Sequence, residues 1–228
     1  EDVKHTAASL AGLGYAAPEP AAQRLAGIRT SARYQQLPAK IRSRLDALMP
    51  RILEAACNMP DPDATLTRGL DLLEMVSGRG AYLALLQQYP QALTKVVELL
   101  GASVWAAQYL NRHPILMDEL LDPRILEAPP DWPSIRTELA RDLAELEPDM
   151  ERQMDLMRER HHTQVFRMLT RDLAGSLSVE GLADHLSALA DVMLDLTIPM
   201  CWAKIKDRHR PDPCFAVIAY GKLGGKEL

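Results

Sequence analysis

Aromatic side chains are scarce: two Phe, three Trp and six Tyr make up 5% of the 228 residues. A core of any size must therefore be built from Leu, Ala, Ile, Val and Met, a composition that favours helices over strands. Cysteine is equally thin, with Cys57, Cys201 and Cys214 far apart, odd in number and never in a CxxC spacing. This excludes a disulfide framework and a zinc ribbon, and leads to the expectation of a reduced, cytoplasmic setting with each thiol a small buried hydrophobe. No unbroken apolar run approaches the roughly 20 residues that cross a bilayer, so no membrane partner is expected. Glu1-Asp2-Val3-Lys4-His5 has no signal-peptide pattern. Charge of one sign is also lacking: the net charge of -5 gives no basic footprint for nucleic acid, though it leaves room for a local nucleotide site. We find no internal repeat and no low-complexity tract.

What is there is helical periodicity. The chain is 47% hydrophobic, enough for one substantial core or two small ones. Nearly everything up to residue 207 reads as helix. Glu19 to Arg29 is the first such stretch, and Ile41, Leu45, Leu48, Ile52 and Ala55 recur at helical spacing around Pro50. Asp61-Pro62-Asp63 marks a turn before a helix over Ala64 to Val76. Short helices follow over Ala81 to Gln88, Gln91 to Leu100, Ser103 to Asn111 and Pro114 to Leu121, separated by Pro90, Gly101 and Pro114. The run Ala128-Pro129-Pro130-Asp131-Trp132-Pro133 is the clearest linker. Beyond it the spacing predicts two long helices. One runs from Asp149 to Ala174, with Met150, Met154, Met157, His161, Val165 and Met168 on one face. The other is capped by Ser178 and runs to Lys206 with Leu182, Leu186, Leu189, Met193 and Leu196. Joined by a short turn at Gly175, they form an antiparallel hairpin. The expected division is 1–128, a helical linker or regulatory region, 133–207, the hairpin, and 214–228, a further fold's beginning.

The pattern changes after the polar stretch 207–213. Cys214 to Tyr220 reads as a buried strand, and it runs into Gly221-Lys222-Leu223-Gly224-Gly225-Lys226-Glu227-Leu228. Glycines let backbone amides approach phosphate oxygens, and a lysine adds a point charge. The spacing is neither the Walker A loop nor the Rossmann fingerprint. On spacing alone two readings stand, an ordinary glycine-rich strand exit and a phosphate-binding turn.

Phe215 to Leu228 resembles the opening of the nucleotidyltransferase motif in glutamine synthetase adenylyltransferases. Other blocks share the resemblance: Gly78-Arg79-Gly80-Ala81-Tyr82-Leu83 with Tyr89-Pro90, Trp105 to Leu110, His113-Pro114-Ile115-Leu116 with Asp118 to Leu121, Gln164 to Arg167, Arg171 to Gly175, and Leu186 to Asp191. The resemblance as a whole covers roughly residues 38 to 228. The resemblance implies a mainly α chain, a multi-helix bundle with a long hairpin, ending in the first strand and Gly-rich turn of a polymerase-β-like α/β fold. It further implies a parent enzyme of two halves. One removes AMP from glutamine synthetase by phosphorolysis. The other transfers AMP from ATP to a tyrosine of glutamine synthetase, under the control of glutamine and the PII signalling protein. The form Ala219-Tyr220-Gly221-Lys222-Leu223-Gly224-Gly225 looks like the transferring half. Gly221, Lys222, Gly224 and Gly225 would then lie on the phosphate side. The family's acidic pair, which holds two Mg²⁺ ions, follows this motif and is not among these residues. No catalytic residue and no metal ligand is therefore assigned, no cofactor is expected firmly bound here, and this segment of a longer chain is expected to be inactive alone.

Other residues have plainer readings. His161 and His162 are adjacent rather than four apart, which does not suit a metal pair, and one is expected toward the apolar face. His185 is a packing or surface residue. The mixed charges from Glu151 to Arg160 form a solvated face. Arg167 and Arg171 face a neighbouring carboxylate, an acidic partner or the nucleotide, and Trp105, Trp132 and Trp202 read as core or linker anchors.

Overall fold

The computed structural model describes residues 3–122, 124 and 128–225. By contacts the chain divides into two units, Glu1–Asp122 and Pro123–Leu228. Every long regular element among the described residues is a helix, and no strand is formed there.

The first unit holds α1 (Val3–Gly12), α2 (Pro18–Thr30), the short α3 (Ala32–Gln35), α4 (Ala39–Ala56), α5 (Pro62–Val76), α6 (Gly80–Gln88), α7 (Pro90–Ala102), α8 (Val104–Arg112) and a 3-10 helix (Pro114–Leu121). Its centre is the meeting of α4, α5 and α7. Leu48 and Ile52 of α4, Leu72 and Leu73 of α5, and Val96 and Leu100 of α7 are all fully buried there. The starts follow from capping chemistry. Asp61 accepts from Ala64 N at 3.0 Å at the head of α5 and Ser103 from Ala106 N at 3.2 Å at the head of α8, each satisfying an orphan amide. Pro50 lies inside α4, which continues through it. Asp63 accepts from Ala16 N and Ala17 N at 2.9 and 3.0 Å, which ties the α1–α2 connection to the first turn of α5.

The second unit holds α9 (Trp132–Glu145), α10 (Met150–Leu173) and α11 (Val179–Ala203), then a single turn, α12 (Gly221–Gly224). The linker residues 128–131 lead directly into α9, which packs on both α10 and α11. The hairpin is thus one part of a three-helix arrangement. Leu139, Leu143 and Met157 form its core, with Leu156, Met193, Leu196 and Met200 packed around them. The α10–α11 turn is a Schellman motif: Gly175 has φ +69°, its N–H donates to Asp172 O and that of Ser176 to Arg171 O, both at 2.9 Å. Ser178 then accepts from Gly181 N at 3.1 Å and opens α11.

Three expectations are corrected. On α10 the buried line holds only Met157 and Met168 of the expected stripe, together with Gln153, Thr163, Gln164, Phe166 and Thr170, and Met154 is exposed. Facing helices on two sides choose that line, and Gln153 is accepted in it because its Nε2 donates to Leu143 O at 2.9 Å. His161 is exposed and His162 half-buried, the reverse of the stripe's implication. None of the cysteines is buried: Cys57 is half-buried beside the end of α4, and Cys201 and Cys214 are exposed. Helix α11 is long and apolar enough to cross a membrane by length and composition, but Asp184, Asp191 and Asp195 interrupt it, so the expectation that no apolar run is unbroken over such a length stands. Its residues are mostly half-buried against α9 and α10.

Candidate functional site: the glycine-rich turn

The connection from α11 to α12 is gathered on Trp202. Its indole N–H donates to Arg210 O at 3.3 Å, and Arg208 donates to Trp202 O at 3.3 Å. The His209 ring meets the indole edge-on at 5.8 Å between centroids, and Phe215 lies tilted at 6.4 Å. A large amphipathic ring at a helix end can bury an apolar face and still use its polar N–H, which is the work an anchor does.

Beyond the anchor, 213–220 carries no regular secondary structure. A strand exists only through a ladder, and no described segment offers one. Its apolar side chains stand open: Phe215 is 59% exposed, Ile218 72% and Tyr220 84%.

The turn itself is tightly specified by glycine. Gly221 has φ +63°, a left-handed conformation costly for a residue with a Cβ. One helical turn follows, and Gly225 N donates to Gly221 O at 2.8 Å. A Cβ on Gly224 would sit 2.3 Å from Ala219 O, so the chain folds back on its own carbonyl in a way only glycine permits. Three of the four residues singled out from the sequence, Gly221, Gly224 and Gly225, thus form one compact bend. The backbone of Lys222 belongs to the same turn. Lys226, Glu227 and Leu228 lie outside the described residues. The backbone contact of Gly224 was not readable in advance, because no spacing announces which carbonyl a glycine will meet.

Apart from Trp105, which is exposed on α8, the remaining candidates lie on the three-helix arrangement. Trp132 Nε1 donates to His185 Nδ1 at 3.3 Å, which joins α9 to α11. This bond requires a neutral Nδ1 on His185, and burial followed by the neighbouring Arg171 lowers its pKa from 6.5, with Asp184 opposing. The Nε and Nη1 of Arg171 are buried with no hydrogen-bond partner among the described residues. No group of three or more His, Cys, Asp or Glu among the described residues is arranged to hold a metal ion.

Comparison with known proteins gives consistent results. The family model described as glutamate-ammonia ligase adenylyltransferase matches residues 93–228. A bifunctional glutamine synthetase adenylyltransferase/adenylyl-removing enzyme of Aromatoleum aromaticum is 70% identical over 194 residues, 85% of this chain and 21% of the relative. Proteins of the same description from Chromobacterium violaceum and Burkholderia mallei are 49% and 52% identical over 96% and 97% of this chain. The chain spans 24% of each of these two.

Proposed function

The chain belongs to the glutamate-ammonia ligase adenylyltransferase family, and from that premise we propose that it is part of an enzyme transferring AMP from ATP to a tyrosine of glutamine synthetase. The observation that carries the reading is the family match over 93–228, which takes in the helical hairpin and the glycine turn together. In this reading 213–220 becomes the first strand of the nucleotidyltransferase fold once a neighbouring strand supplies its ladder. That would cover the exposed Phe215, Ile218 and Tyr220 and give the bend a fixed platform. Gly221, Lys222, Gly224 and Gly225 form the phosphate side of the ATP site, where glycine backbone approaches anionic oxygens without a Cβ in the way. The enzyme works in the cytoplasm.

The described residues do not fit magnesium, since no group of three or more His, Cys, Asp or Glu among them is placed to hold a metal ion. No step of the reaction is therefore assigned to a metal in this chain. What the chain supplies is binding and orientation: helices that carry the strand, and a bend that meets phosphate. The test is AMP transfer from ATP to glutamine synthetase by the full-length parent enzyme and by residues 1–228. The parent should transfer and the 228-residue chain should not. Transfer by the short chain would overturn its assignment as an inactive part. A parent variant with Gly224→Ala that keeps full transfer would remove the bend from the phosphate site. Loss of AMP removal alone in that variant would assign the turn to the adenylyl-removing half.

A second reading concerns the helices themselves. The first unit has a core of its own, and we propose it as a regulatory module that senses PII and glutamine. Calorimetric titration of the chain with each should give saturable heat, and its absence at high concentration counts against that role.

A further inference from the structure

Helix α11 ends on a firm base. Leu196 and Met200 pack against the Leu139, Leu143 and Met157 core. Lys204 Nζ donates to Pro148 O at 3.3 Å, which ties the end of α11 to the α9–α10 connection. Trp202 stands between these two attachments and is half-buried. Its indole closes the following connection back onto the helix: the N–H reaches Arg210 O, and the ring meets His209 and then Phe215. Arg208, from the same connection, donates to the carbonyl of Trp202.

From Cys214 to Gly221 every residue is exposed. The path of that segment is therefore set where it begins, at the contact of Phe215 with Trp202. An extended strand is close to straight and rises about 3.3 Å per residue. Once 213–220 is paired in a sheet, a fixed start fixes its far end, where the glycine bend lies. A displaced start moves the bend with it.

We infer that Trp202 is a positioning residue for AMP transfer. Its indole holds the head of 213–220 so that Gly221, Gly224 and Gly225 stand at the phosphates of ATP. This rests on the reading of the bend as the phosphate side of the ATP site. Trp202 acts through Phe215 and Arg210 rather than on ATP, and two parts of its side chain divide the work. The ring carries the contacts with His209 and Phe215, and the N–H carries the bond to Arg210 O.

The test is steady-state AMP transfer by the full-length parent enzyme. Trp202→Leu keeps an apolar side chain at the helix end and removes both ring and N–H. It should raise the KM for ATP at least about tenfold, the scale on which a misplaced binding group is felt, with kcat and the KM for glutamine synthetase unchanged. Hydrogen exchange should quicken in 213–225 and stay as it was in α9 and α10. Trp202→Phe restores the ring without the N–H, and should recover part of the loss while keeping the KM for ATP about threefold above that of the unaltered enzyme, as one missing hydrogen bond predicts. Should the leucine variant fail to fold, the phenylalanine variant decides, and an unaltered KM for ATP in it overturns the proposal. A lowered kcat at unchanged KM in Trp202→Leu, or exchange quickened throughout α9 and α10, gives Trp202 a merely structural role and also overturns it. The Gly224→Ala enzyme separates this proposal from the reading beneath it. If that variant keeps full transfer, the phosphate-site reading fails and this proposal with it. If that variant uses ATP poorly while Trp202→Leu keeps the unaltered KM, this proposal fails alone.

Discussion

Gly224 is fixed by the carbonyl of Ala219, 2.3 Å from where a Cβ would stand. Gly224→Ala should therefore open the bend. We expect amide exchange at Gly225 to accelerate, because its bond to Gly221 O depends on that path, while the main thermal transition stays in place. Unchanged protection at Gly225 would show that the bend has another source of order. His185 makes a second prediction at this scale. Burial and then Arg171 depress its pKa, with Asp184 opposing, and its neutral Nδ1 accepts from Trp132. The unfolded chain takes up the proton first as pH falls. The stability from this contact is therefore whole above 6.5 and is lost as pH drops through the lowered folded value. Urea unfolding at pH 8 and pH 5 should show a smaller loss on acidification in His185→Gln than in the parent chain. An equal loss would remove His185 from the α9–α11 contact.

At the scale of elements, helix limits follow from local chemistry and helix faces do not. Ser178 satisfies an orphan amide at the start of α11, and its replacement by Ala should cost about 1 kcal/mol in urea unfolding. Gly175 in its left-handed cap should cost a similar amount when changed to Ala, about 1 kcal/mol. Both effects were legible beforehand, since a Gly and a Ser between two periodic runs mark a stop and a start. The buried face of α10 was legible only in part: Met157 and Met168 of the expected stripe are buried, and polar Gln153 and Gln164 are buried with them. Their burial depends on partners such as Leu143 O, which belong to another helix. Helix α9 was also passed over. Its Leu139 and Leu143 are spaced by four, and Asp131 caps it by accepting from Ser134 N at 3.2 Å, so the signal was present beneath the prolines of the linker.

Across the molecule, each unit keeps a core of its own. Phe166 is fully buried in the second, and Phe166→Ala should destabilise that unit by about 3–5 kcal/mol. Hydrogen exchange should then accelerate in α9, α10 and α11 while amides in α5 and α7 keep their protection. Equal acceleration in both units would show that the chain unfolds as one. The segment 213–220 has a core in neither unit: its apolar side chains face solvent, and Trp202 holds only its beginning. Burial of Phe215, Ile218 and Tyr220 in the full-length parent, followed by their exchange rates, checks whether a sheet completes it.

By itself the sequence determined that the chain is helical and where most helices start and stop. These depend on residues within a few positions of each other: caps, prolines and the i, i+4 repeat. It also carried the family, through blocks that no single motif replaces. Only the tertiary structure decided which polar residues share the buried side of α10, that α9 completes the hairpin, and that the thiols are outside. Those outcomes are set by partners distant in the sequence, since burial and hydrogen-bond satisfaction belong to a pair of surfaces rather than to either strip of residues.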